Sequence, residues 1–286
     1  MLPLSVDSTT AVATPVDAQA PIGVFDSGVG GLSVLRHVRE RLPQENLIYF
    51  ADTLHAPYGG RSQTQIEARA LAIGAFLVAQ RVKAIVVACN TATAAAIAAL
   101  RSTYPTLIVV GVEPGLKPAA ALSRTGMVGV LATEATLASQ RFACLRDQVS
   151  AQTRVQFVAQ ACPGLADLIE TDPLESLQIR SLLHTLLLPL LGQRVDTIVL
   201  GCTHYSFVRA QIESLLLQHG AAGVAIVDTG AAVARQLDLV LKQKALHRNG
   251  RCTGSGGLAG FSSGVPEALD EAFDRLLGLQ VVSRQG

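Results

Sequence analysis

The sequence has no surplus of either charge, no long apolar run and no closely spaced cysteine pair, and each lack closes off a class of protein. Its 23 Lys and Arg stand against 22 Asp and Glu, so it carries no footprint for nucleic acid, whose binding needs clustered positive charge. The most apolar stretch, LLHTLLLPLLG at 182–192, is too short for a membrane span and is interrupted by His184 and Pro189. No membrane association is expected. The first twenty residues contain no Lys or Arg and are built largely from Ser, Thr, Pro and Ala, which is not the pattern of a signal peptide. They read as a mobile extension, residues 1–20. Five cysteines, odd in number and without C-x-x-C spacing, fit a reducing compartment better than a disulfide framework. A soluble cytoplasmic protein with free thiols is the expectation.

What is present is a chain of 286 residues with 49% apolar content, enough for two domains with buried cores. Short β-branched runs alternate with helical patterns, the sequence form of parallel sheets covered by helices. The runs are IGVF (22–25), LIYF (47–50), AIVVA (84–88), LIVVG (107–111), MVGVL (127–131), TIVL (197–200) and VAIV (224–227). Leu32, Leu35, Val38 and Leu42 mark one face of a helix that Pro43 stops. Ser62 and Gln65 form a capping box before a helix whose buried face is Ile66, Ala70, Ile73 and Leu77. Asp172, Pro173 and Glu175 are expected to open a further helix. The fold class is α/β.

Two decapeptides organise the chain. QRVKAIVVAC at 80–89 returns as QRVDTIVLGC at 193–202, sharing six of ten letters and ending on the same residue. IGVFDS at 22–27 likewise resembles VGVLAT at 128–133. Two halves of similar design follow, each delivering a cysteine, Cys89 or Cys202, to the carboxyl end of a buried strand. In open parallel sheets that edge is where ligands bind, because strand ends and helix N-termini converge there. Such a setting favours reactive thiols. Cys144, Cys162 and Cys252 read instead as structural, since cysteine is among the most buried residue types.

Three chemistries suit two facing thiols. A redox dithiol usually shows C-x-x-C, which is missing. Zinc would accept Cys89, Cys202 and His204 as ligands, without an obvious fourth. An acid and a base on opposite faces of one carbon would explain the duplication itself, because interconverting mirror-image amino acids removes a proton from one face of Cα and delivers another to the opposite face. Asp26, before Ser-Gly, also suits a turn, and a histidine such as His204 is often a core residue. The glycines at 28, 30 and 31 suggest a dinucleotide loop, but position 33 of the pattern is Ser33, and no G-x-x-x-x-G-K-[ST] motif occurs.

In order along the chain, FDSGVGG, ADTLHAPYGG, VVACNTAT, GVEPG, VGVLATEAT and LGCTHY closely resemble the bacterial glutamate racemases. The resemblance runs from about residue 21 to 279 and includes the ending FSSGVPEALDEAFDRLLG. It implies a cofactor-independent isomerase without a metal, converting L-glutamate to D-glutamate for peptidoglycan. It also implies two α/β domains facing each other across the site, residues 21–116 with 231–286 and residues 117–230, related by a pseudo-two-fold. By the same resemblance Cys89 and Cys202 are the catalytic acid/base pair, assisted by Asp26 and His204 respectively. Substrate would be held by Asp26, Ser27, Tyr58, Gly59, Asn90, Thr91, Thr203 and His204, with Glu170 near its ammonium group. Hydroxyls, amides and backbone N–H groups can bind carboxylates without a buried arginine. A racemase for aspartate or another amino acid is the alternative within the superfamily, and a Cys/His zinc module the alternative outside it. The family implies a homodimer, and some members respond to a cell-wall precursor as activator. Departures are few: Ala132 stands where a glycine is usual, Gly164 interrupts an apolar position, and residues 1–20 precede the match.

Overall fold

The computed structural model describes residues 17–248 and 255–286. Residues 1–16, most of the expected extension, and Cys252 lie outside the described residues. Among the described residues ten strands form two parallel sheets. They are β1 (Ile22–Asp26), β2 (Leu47–Ala51), β3 (Ala84–Val87), β4 (Ile108–Gly111), β5 (Met127–Ala132), β6 (Gln156–Ala161), β7 (Thr197–Leu200), β8 (Ala225–Val227), β9 (Leu258–Ser262) and β10 (Ser283–Gln285). The helices between them are α1 (Leu32–Arg41), α2 (Gln63–Ala79), α3 (Asn90–Thr103), α4 (Leu116–Leu122), α5 (Glu134–Ala138) and α6 (Gln140–Thr153). They continue as α7 (Leu165–Thr171), α8 (Leu177–Gly192), α9 (Arg209–Gln218), α10 (Gly230–Gln243) and α11 (Pro266–Leu277). Among the described residues no helix is long and apolar enough to cross a membrane.

The first sheet runs β10-β9-β2-β1-β3-β4 and the second β6-β5-β7-β8. The order β2-β1-β3-β4 is thus repeated as β6-β5-β7-β8, and the repeated sequences fall on matching strands, β1 with β5 and β3 with β7. Helices cover both faces of each sheet and bury an apolar cluster on each side. The shared QRV has a backbone purpose. In both copies it follows a helix, α2 or α8, and its arginine adopts positive φ, 58° at Arg81 and 59° at Arg194. A left-handed residue there ends the helix and turns the chain toward the strand, while Val82 and Val195 are buried. The fourth letter, Lys83 or Asp196, ties each cysteine strand to a neighbouring segment. Lys83 pairs with Glu45 and donates to the Ala18 carbonyl at 2.6 Å. Asp196 accepts from Ser123 Oγ and from the N–H groups of Arg124 and Thr125.

Most expected elements form as the sequence indicates, including both reciprocal bonds of the Ser62/Gln65 capping box. Three strands carry no strong sequence signal. β6 reads QFVAQA, is partly exposed throughout and lies at an edge, β10 is another edge strand, and β9 is rich in small residues. The helix expected at Asp172 begins later. Pro173 and Ser176 close a turn, and Ser176 caps α8 by accepting from Ile179 N–H, because its hydroxyl lies next to the first free N–H groups of that helix. Pro189 sits inside α8.

Lys83 and Glu45 are almost wholly buried, so one partner without the other leaves a charge in a poorly solvated place. Glu45→Ala should lower the unfolding free energy in urea by roughly 3 kcal/mol; a change near zero would mean the pair contributes little to anchoring β3.

Candidate functional site

Both repeated strands end at one small cavity of about 180 Å³, lined by Cys89 and Ser27 from one half and Cys202 and Cys162 from the other. Ten of the eleven residues singled out from sequence line it: Ser27, Tyr58, Gly59, Cys89, Asn90, Thr91, Glu170, Cys202, Thr203 and His204. Asp26 does not. It lies fully buried behind Ser27, accepting from the N–H groups of Ser27 and Gly31, each at 2.7 Å. A larger cavity of about 780 Å³ shares Asn90 and Thr91 but contains neither Cys89 nor Cys202.

Cys89 is the residue before α3, and its Sγ accepts from Ala92 N–H at 3.4 Å. Ser27 Oγ is its other neighbour, at 3.6 Å. Burial, followed by the charge of Asp26, pushes this thiol well above its ordinary value, so Cys89 holds its proton at neutral pH. Burial also raises the Asp26 carboxyl, against the pull of His204 and the Gly31 N–H.

Cys202 has a different companion. His204 Nδ1 lies 3.5 Å from its sulfur, and Nε2 lies 2.7 Å from Glu170 Oε1. Burial opposes a charge on His204, but the Cys202 sulfur and the Glu170 carboxylate together hold the imidazole protonated well above its ordinary 6.5. Glu170 is likewise favoured by burial to be neutral, yet His204 and the Val29 N–H at 3.0 Å bring it below its ordinary 4.5. The result is a chain of sulfur, imidazole and carboxylate. It can pass a proton between Cys202 and His204 while Glu170 keeps the ring oriented.

The repeat is therefore symmetrical in its thiols and unsymmetrical in their helpers. Aligning IGVFDS with VGVLAT sets Ala132 opposite Asp26, and aligning CNT with CTH sets Thr91 opposite His204. Each half keeps one of two helper positions.

The FDSGVGG glycines make room for this chain. A Cβ on Gly28 would run into the Glu170 carboxylate, and one on Gly30 into the His204 ring. They are spacers for a close approach between halves, not a phosphate cradle. Tyr58, in the ADTLHAPYGG segment, donates to Asp52 at 2.5 Å, and Asp52 is gripped by Arg69 through Nε at 3.0 Å and a second nitrogen at 2.8 Å. Asn90 is nearly buried and neither polar atom of its amide has a partner, a cost of about 1–3 kcal/mol for each unmet group that a polar ligand would relieve. Among the described residues no Lys or Arg lines the small cavity.

Sequence reasoning missed Thr133, whose hydroxyl meets Thr91 Oγ1 across the halves at 2.9 Å. The repeat holds the signal, since Thr133 aligns with Ser27. It also missed Cys162 as a cavity residue, which burial pushes up to about 12. Cys144, expected in a core, is exposed. Among the described residues no three His, Cys, Asp or Glu side chains are grouped to hold a metal ion.

The model of the family described as Asp/Glu/Hydantoin racemase matches residues 22–237. The chain belongs to this family. A curated glutamate racemase of Pseudomonas paraeruginosa is 49% identical over 91% of this chain and 95% of its own. One from Stutzerimonas stutzeri is 47% identical over 93% and 97%. Among solved structures, a glutamate racemase isoform from Bacillus anthracis superposes with a TM-score of 0.83 at 30% identity, covering 94% of this chain and 98% of its own. The Escherichia coli glutamate racemase, solved with L-glutamate and the activator UDP-MurNAc-ala, gives 0.76 at 31% identity, covering 93% and 97%. As a racemase, the protein is an isomerase.

The ion pair between His204 and Glu170 has a defined pH window. Glu170, lowered, contributes stability that is present above 4.5 and lost as pH falls through its folded value. His204, raised, contributes stability that is present below 6.5 and lost as pH rises through its folded value. Glu170→Gln should therefore make His204 titrate at lower pH, as followed by NMR of the imidazole; an unmoved titration would show that Glu170 does not hold the charge.

Proposed function

We propose that this protein is a glutamate racemase, exchanging the Cα proton between two thiols without a cofactor and so supplying D-glutamate for peptidoglycan. The observation that carries the reading is the placement of Cys89 and Cys202, from opposite halves, on one cavity. Its volume is below the roughly 300–1,000 Å³ usual for drug-sized ligands, which suits an amino acid. Cys202, assisted by His204, takes the Cα proton of L-glutamate as thiolate. Cys89, which burial keeps protonated, gives its proton to the opposite face. Return from D-glutamate runs the same path with the roles exchanged. Asp26 serves Cys89 from behind Ser27 through its charge, which after burial is the largest cause that holds the proton on sulfur.

Ser27, Tyr58, Gly59, Asn90, Thr91 and Thr203 hold the two carboxylates. Fixed neutral donors stabilise the negative charge of the substrate without adding a Lys or Arg to the cavity. Asn90 supports this, since it lines the cavity and its buried amide has no partner. The domain division expected from sequence, 21–116 with 231–286 and 117–230, is supported by packing. Ala119 and Ala120 of α4 join a core of the second sheet, as does Leu116, the last residue of the first range, and Val233, Ala234, Leu237 and Leu241 of α10 join a core of the first. A cytoplasmic location, a two-fold homodimer and a response to a cell-wall precursor complete the reading and rest on the family resemblance.

Incubating the protein with L-glutamate, L-aspartate and L-alanine without added cofactor, followed by chiral chromatography, should yield D-glutamate. Conversion of aspartate instead, a need for pyridoxal phosphate, or loss of activity with a chelator would sink the proposal. Cys89→Ser and Cys202→Ser should each lower racemisation by on the order of a thousand-fold or more, because a serine hydroxyl is far less acidic than a thiol and does not ionise to a base at neutral pH. Near-parental rates in either variant would contradict two-thiol exchange.

Isotope uptake separates two proton carriers from one. In D₂O, D-glutamate formed from L-glutamate should carry deuterium at Cα from the first turnover, while recovered L-glutamate stays mostly protium. Substantial protium in early D-glutamate would mean that a single base serves both faces.

A further inference from the structure

The chain of Cys202, His204 and Glu170 does not end within its own half. Glu170 lies near the C-terminus of α7, and the other half holds it at two points. Its carboxylate accepts from the Val29 N–H of the loop after β1. Its main chain is held by Arg275 of α11, whose Nη1 donates to the carbonyls of Ile169 at 3.1 Å and Asp172 at 3.0 Å, and whose Nη2 donates to that of Glu170 at 2.6 Å. The last carbonyls of a helix have no partner within it, and a guanidinium can satisfy several at once from a rigid fork. α11 is itself firmly seated, with Leu269, Ala272, Phe273 and Leu276 buried in the core of the first half. Phe273 packs edge-on against Tyr49, whose hydroxyl bonds the Gly28 carbonyl of the same glycine loop. One rigid body therefore presents both the N–H that meets the Glu170 carboxylate and the guanidinium that meets its backbone.

Building on the two-thiol reading, we infer that Arg275 is a positioning residue for the Cys202 side of the reaction. By fixing the main chain of Glu170 it sets the reach of that carboxylate to His204 Nε2, and so keeps Nδ1 on the Cys202 sulfur. Its charge is the smallest of the causes that lower Glu170 and its exposure screens it, so its main contribution is one of geometry. Cys89, whose neighbours are Ser27, Ala92 and Asp26, does not depend on it. The two half-reactions are thus coupled unequally to the contact between the halves.

The test uses the full-length protein and Arg275→Ala and Arg275→Lys variants, with melting temperatures as a check on folding. Arg275→Ala should lower kcat by on the order of ten- to a hundred-fold, the scale expected for a misplaced proton carrier. Lysine, a single ammonium unable to span three carbonyls, should restore part of the rate, as should millimolar guanidinium added to Arg275→Ala. The deciding measurement is the primary deuterium isotope effect on kcat/KM from each enantiomer labelled at Cα. If only the Cys202 step is slowed, the effect should rise above the parental value with labelled L-glutamate and fall toward unity with labelled D-glutamate. A loss of rate with both isotope effects at parental values would overturn the inference and leave Arg275 a structural cap, as would an unchanged rate. If Arg275→Ala does not fold, Arg275→Lys carries the same comparison. A parent chain inactive on glutamate would overturn the functional reading itself, a different outcome from an active parent with symmetrical variants.

Discussion

A side chain that carries a proton inside a protein is driven by burial toward its neutral form, and only close partners can hold it otherwise. This constraint governs the small cavity and the structure around it. Asp26, Cys89, Glu170 and His204 all feel it, and each is answered differently. Asp26 has two backbone N–H groups, and burial still raises it. Cys89 has weak partners, a serine hydroxyl and one N–H, so burial decides and the thiol keeps its proton. His204 has a sulfur on one nitrogen and a carboxylate on the other, and there the partners outweigh burial.

The duplicated architecture supplies two equivalent thiols, but the partners are not duplicated. The strand order β2-β1-β3-β4 and its copy β6-β5-β7-β8 bring equivalent strand ends to the same cavity. Asp26 has Ala132 as its counterpart, and His204 has Thr91. The proposed chemistry accommodates this inequality. A base that must accept a proton and an acid that must hold one are different tasks in the resting state, even when turnover later exchanges them. A thiol held protonated by burial and a thiol beside an imidazolium are two solutions to those tasks.

The halves meet through close approaches that side chains would block. Gly28 and Gly30 leave space for Glu170 and His204, Ser33 Oγ reaches across to the Thr203 carbonyl at 2.9 Å, and Thr91 meets Thr133 and Thr136. The carboxyl ends of two parallel sheets, each rich in N–H groups at helix starts, would otherwise leave an open, wet cleft. These contacts narrow it to a small pocket of about 180 Å³.

The sequence alone determined the α/β class, nearly all the buried strands, and which two cysteines end them, because a buried parallel strand is written locally, in apolar runs and in the residues that start and stop helices. The repeated decapeptide further revealed that Cys89 and Cys202 occupy equivalent strand ends. Edge strands β6 and β10 stayed hidden, since half-exposed strands need no apolar run, and Ser176 took the cap expected of Asp172 because a turn at Pro173 placed its hydroxyl at the helix start. Only the tertiary structure decided that Asp26 lies behind Ser27 rather than on the cavity, that Glu170 binds His204, and that the glycines of FDSGVGG are spacers. Those facts depend on which residues of one half meet the other. Such contacts join positions 141 residues apart, as Val29 and Glu170, or 105 apart, as Glu170 and Arg275, and local patterning of the chain carries no record of which distant partners will meet.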